Sequence, residues 1–169
     1  MLEPVQHPVI AQLQAELASY PRRHGYYQLE LVAILRLRQA GATQDEILNR
    51  LYKRWAAHDA DAAYRLAAQP IRPPVLAEPS PSWDDYEYDS QDAHEALAYE
   101  LKGGSGIGHT TDTIPQGKAN ELASRFFALF HAPRAYRGLG LGDPFYVFEQ
   151  GVVLLDIEHA GCFLIIEGD

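Results

Sequence analysis

The chain predicts an α+β fold: an N-terminal helical bundle of about four helices, then two further helices and a C-terminal antiparallel β-meander. Three observations lead there. Over roughly the first seventy residues, apolar side chains recur at spacings of three and four. Pro70, Pro73, Pro74, Pro79 and Pro81 then break that pattern. The C-terminal end holds β-branched and aromatic runs separated by short turns.

The first helix is predicted in and just before PVIAQLQAELASY, where Val5, Val9, Ile10, Leu13 and Leu17 form one stripe that Pro21 ends. A second is predicted in GYYQLELVAILRLRQAG from Tyr27, Leu31, Ile34 and Leu35, with Gly41 at the left-handed position past its end. Thr43 and Glu46 form a capping box for a third, which continues through Ile47, Leu48, Leu51, Tyr52 and Trp55. Asp59 caps a fourth through Ala63 and Leu66. An extended connection follows in IRPPVLAEPSPSWDDYEYDS. Beyond it, the segment from about Ser90 to Lys102 has helical character, with Asp92 as a candidate cap and Ala93, Ala96, Leu97 and Leu101 on one face. Another helix spans Gly117 to His131, with Leu122, Phe126, Leu129 and Phe130 inward. The runs PFYVFE, GVVLLDI and CFLIIE read as three strands, turning at Gln150-Gly151 and across Glu158 to Gly161. The two later strands are apolar enough to be buried on both faces. The organisation is a helical module over 1–72, a proline-rich and acidic connection over 73–92 and an α+β module over 93–169, packed as one globular unit.

With 169 residues, 47% hydrophobic and 22% charged, the chain is long enough for a real core and ordinary for a folded protein. The single Cys162 excludes an internal disulfide and a multi-cysteine zinc site, and fits a reducing compartment. No basic region leads an apolar run at the start, and no segment nears the roughly 18 apolar residues of a membrane helix. These features predict a cytoplasmic protein with no membrane partner. The net charge of -9 is uneven: residues 1–72 carry nine Arg/Lys against seven Asp/Glu, whereas 73–169 carry five against sixteen. Such an acidic half repels nucleic acid and attracts a basic protein.

Motifs that would carry a reaction are incomplete. GGSGIGHT, Gly103 to Thr110, matches the phosphate loop G-x-x-x-x-G-K-[ST] except at His109, which stands where the lysine belongs. A working loop joins a buried strand to a helix, whereas here a helical pattern precedes and Pro115 follows. Ser105, His109 and Asp112 remain a possible loop site, with His109 as general base of a small hydrolase or transferase using Gly103 to Thr113. The seven histidines are solitary, and only a spatial cluster such as His94, His109 and Asp112 would bind metal. We therefore expect no cofactor, no metal and no assembled catalytic group. LRLRQAGATQDEILNRLYKRW has a helix-turn-helix layout, a second alternative, but Asp45 and Glu46 occupy the turn that would face DNA.

The acidic block WDDYEYDSQDAHE is the most unusual stretch by composition. Asp84, Asp85, Glu87, Asp89, Asp92 and Glu95 are interleaved with Trp83, Tyr86 and Tyr88. It fails as a calcium loop, because Ser90 replaces the required glycine and Ala96 the bidentate glutamate. Dense charge with rigid aromatics suits docking on an Arg/Lys-rich protein face. The predicted partner-binding residues are Trp83, Asp84, Asp85, Tyr86, Glu87, Tyr88 and Asp89.

The tail DPFYVFEQGVVLLDIEHAGCFLIIEGD resembles the compact β-rich endings of small bacterial immunity proteins, and the acidic half is similar to the surfaces they present to basic nuclease toxins. The resemblance implies a cytoplasmic, non-enzymatic inhibitor of a basic partner such as a secreted toxin domain. It carries over no residue roles.

Overall fold

The computed structural model describes residues 2–22, 25–56, 83–103, 114–137 and 147–168. In chain order they form β1 (Glu3–Pro4), α1 (Pro8–Leu17), β2 (Gly25–Ala33), α2 (Leu35–Gln39), α3 (Gln44–Ala56) and a 3-10 turn (Trp83–Tyr86). Next come β3 (Glu87–Tyr88), α4 (Ser90–Leu101), α5 (Gln116–Phe127), β4 (Arg134–Arg137), β5 (Val147–Leu155) and β6 (His159–Gly168). The strands make one antiparallel sheet in the order β1-β2-β6-β5-β4-β3.

This corrects the predicted N-terminal helical bundle. Residues 25–33 are a strand, paired along its whole length with β6 from Gly25↔Glu167 to Ala33↔His159. Tyr27, Leu31, Ile34 and Leu35 fit a helical period, but Tyr27, Leu29 and Leu31 also alternate, and that second period is the one used. Leu29 and Leu31 face one core while Val32 faces the other, so pairing with an apolar partner strand outweighs local helix propensity. The predicted helix survives only in its last turn and a half as α2. The predicted fourth helix lies outside the described residues, as does the predicted 73–92 connection up to residue 82; its remainder is not a connection but the 3-10 turn, β3 and the first turn of α4.

The C-terminal part is made of strands, with two corrections. Gln150-Gly151 is not a turn: β5 runs straight through it. Gly151 has φ +130, and a Cβ there would lie 2.1 Å from the Phe163 carbonyl oxygen, so the glycine allows close approach between strands. The real turn is at Asp156, whose carboxylate accepts from the Glu158 and His159 amides and from the His131 amide. The chain then forms a β3-β4-β5-β6 meander, with β2 and β1 added beyond β6.

Local signals fix the helix ends. The His7 ring caps α1 by accepting from the Val9 amide, with Pro8 in the first turn. Thr43 and Glu46 close their capping box around α3, and Gly41 adopts φ +88 after α2. Asp89, not Asp92, caps α4. The α5 helix ends at Phe127, short of His131.

A separate core fills each face of the sheet. On one, Leu37 of α2, Ile47, Leu48, Leu51 and Trp55 of α3, and Trp83 cover Val32, Tyr136, Val153, Cys162 and Leu164. On the other, α1, α4 and α5 bury Leu13, Leu97, Leu122 and Phe126 against Leu29, Leu31, Val152, Leu154 and Phe163. Among the described residues, no helix is long and apolar enough to cross a membrane.

Candidate binding surface

The acidic segment enters as a 3-10 turn and a two-residue strand, and its side chains divide between inside and outside. Trp83 is 2% exposed. Its indole N–H donates to Asn49 Oδ1 at 3.1 Å, and its backbone N–H donates to Asp45 Oδ1 at 3.3 Å, both on α3. Tyr88 packs on the opposite core. These two aromatics therefore anchor the segment to its own sheet, rather than projecting toward a partner.

The carboxylates face out. Arg134 on β4 donates to Glu87 through Nε at 2.9 Å and Nη2 at 2.6 Å, and to Asp84 at 3.1 Å. Hydrogen bonding from Arg134 holds the Glu87 carboxyl below the usual carboxylate range, against the opposing effects of partial burial and of neighbouring Asp84. Asp84 remains 68% exposed at its side chain, so this is a solvated pair that shapes the turn more than it stabilises the fold. Asp89 is committed to capping α4. The side chains of Asp85 and Tyr86 lie outside the described residues.

The acidic surface continues along α4. Asp92, Glu95 and Tyr99 follow at helical spacing, and with Gln116 and Asn120 of α5 they line a groove of about 500 Å³. Tyr99 is 48% exposed, and the Lys102 ammonium lies 5.6 Å from its ring centroid. The chain's own Lys102 thus already stacks on that ring, and it adds a cation to the lining of the groove. Sequence reasoning missed Tyr99. The available signal was its position opposite Ala93 and Leu97, on the polar side of the helix.

The other sequence candidates fall elsewhere. Ser105, His109 and Asp112 lie outside the described residues. The residues described before them end α4, where the Glu100 and Leu101 carbonyls already accept from the buried Arg22 guanidinium at 3.0 and 3.2 Å. Those described after them begin at the buried Ile114 ahead of α5. A phosphate loop would instead begin from a strand. His94 pairs with Ser124 Oγ at 2.8 Å and lies edge-on to Phe127. Among the described residues, no group of three or more His, Cys, Asp or Glu is placed to hold a metal ion. Cys162 is buried in the sheet. In the helix-turn-helix candidate, α3 turns its apolar face onto the sheet, Asp45 holds Trp83, and Arg54 pairs with Glu30.

The chain matches no family model, no curated protein and no solved structure. The candidate surface is therefore read from its own chemistry.

Proposed function

We propose that this is a non-enzymatic, cytoplasmic binding protein that inhibits a basic partner, in the manner of an immunity protein or antitoxin. The observation that carries the reading is the acidic face running from Asp84 and Glu87 through Asp92 and Glu95 to the exposed ring of Tyr99. Its carboxylates steer a cationic partner, and Tyr99 supplies a flat surface that an arginine or lysine of the partner takes by displacing Lys102. The frame beneath is already fixed by Trp83, Tyr88 and the Asp89 cap, so little ordering entropy is lost on binding. This assigns Trp83 and Tyr88 to support, leaving Asp84 and Glu87 of the original segment as contact residues.

The test is affinity purification from the native organism with the wild-type chain and with Asp92→Asn/Glu95→Gln/Tyr99→Ala. Retention of a basic protein that elutes with salt, and is lost with the triple variant, supports the reading. Equal retention by both chains contradicts it.

A further inference from the structure

The groove between α4 and α5 carries charge of both signs. Asp92, Glu95, Tyr99 and Lys102 succeed one another at spacings of three and four, so they share one face of α4 and its C-terminal cap. Gln116 and Asn120 of α5 line the groove beside them. At about 1.5 Å of rise per residue, Lys102 lies about 10 Å along the helix from Glu95 and about 15 Å from Asp92. Opposite charges so far apart do not pair, and salt screens them from one another beyond about 8 Å. Among the described residues, none of Asp92, Glu95 and Lys102 takes part in an ion pair.

This order gives the groove a direction: carboxylates at one end, an aromatic ring in the middle and an ammonium at the other end. The ammonium is also the group an incoming cation meets first on the ring, 5.6 Å from its centroid. An arginine or lysine that takes the ring displaces Lys102 and leaves a like charge at close range. A segment that is basic throughout is therefore repelled at this end of the groove. One that also carries a carboxylate turns the same encounter into an ion pair, so Lys102 discriminates between the two.

Taking the cation from the partner reading above, we propose that the groove recognises a segment of the partner that bears two opposite charges. Its arginine or lysine lies against Asp92, Glu95 and the Tyr99 ring, and its aspartate or glutamate pairs with the displaced Lys102 ammonium. Charge complementarity selects this occupant: a uniformly basic segment satisfies one end of the groove and a uniformly acidic one the other. The separation of about 10 Å between Glu95 and Lys102 corresponds to about three residues of an extended chain or seven of a helix. The side-chain amides of Gln116 and Asn120 both donate and accept, which suits polar groups of the segment between its two charges.

The experiment pans a display library of random dodecapeptides against the full chain and, in parallel, against Lys102→Glu. The wild-type chain should select Lys or Arg together with Asp or Glu at one fixed spacing, and Lys102→Glu should keep the base and exchange the acid for a second base. In calorimetric titration of a peptide selected on the wild-type chain, replacing its acid by the matching amide should weaken binding about threefold, the scale of a solvated ion pair. That loss should vanish with Lys102→Gln and persist with Lys102→Arg. Peptides with bases alone, or a Lys102→Gln chain that binds the selected peptide more tightly, would overturn the two-charge segment and leave the cationic partner standing, with Lys102 a competitor for the ring. Peptides with a Lys102-dependent acid but no base, indifferent to Asp92→Asn/Glu95→Gln, would uphold the carboxylate contact and overturn the cationic-partner reading. Recovery of no peptide would overturn the two-charge segment.

Discussion

The two faces of the sheet reach burial by different means. Under α1, α4 and α5 the core is apolar and aromatic: Phe126 meets Phe130 and Phe163 edge-on, with ring centroids 5.4 and 5.5 Å apart. Gly161 lets those rings approach the sheet, since a Cβ there would lie 2.8 Å from Phe130 Cζ. Under α3, Trp55, Trp83 and Tyr136 carry polar atoms into the core, and each of these three is matched. Trp55 Nε1 donates to Glu30, whose carboxylate also binds Arg54, while Trp83 Nε1 donates to Asn49 and Gln44 donates to the Tyr136 hydroxyl. Shape specifies the first face, and hydrogen bonding specifies the second.

This difference sets what breaks each face. The largest effect is expected from Phe126→Ala, which removes a fully buried ring from the apolar face. A loss of about 4 kcal/mol in urea-unfolding free energy follows from transfer and cavity terms together. On the polar face Glu30→Ala leaves the Arg54 guanidinium and the Trp55 indole without their shared acceptor. Its expected cost is about 3 kcal/mol, at the low end for a buried pair because both side chains keep partial exposure. Glu30→Ala/Arg54→Met restores part of that stability by removing the stranded charge, a rescue with no counterpart at Phe126.

The smallest effect concerns Arg134 and depends on pH. Arg134 lowers the Glu87 pKa in the folded chain, so its stabilisation is full above the ordinary carboxylate value and disappears as pH falls through the lowered one. Arg134→Gln should flatten this acid limb of the stability curve. The change should be below about 1 kcal/mol because the pair is solvated, and chemical denaturation at a series of pH values checks it.

The same division explains what the sequence could show. Helices α1, α3, α4 and α5 are legible because their signals are local: a proline at the start, a capping box, an apolar stripe. Strand β2 is not, because Tyr27, Leu29 and Leu31 satisfy two periods at once and the choice between them is made by β6, at the other end of the chain. Gly151 was misread for a related reason: its role is set by the Phe163 carbonyl across the ladder, not by its sequence neighbours. The acidic segment was visible as charge, but the inward turn of Trp83 and Tyr88 depends on Asn49 and on the far core. The outward position of Tyr99 is legible from its place opposite Ala93 and Leu97, but the groove is not, because it forms only where α5 places Asn120 beside the ring.

The central claim is that the face of Asp92, Glu95 and Tyr99 binds a cationic partner. Calorimetric titration of the captured partner at increasing salt, with the wild-type chain and with Asp92→Asn/Glu95→Gln/Tyr99→Ala, tests it most directly. The account predicts wild-type affinity that falls with salt, and a variant that binds at least tenfold more weakly with a shallower salt dependence. Equal affinity and equal salt slope for the two chains would contradict it.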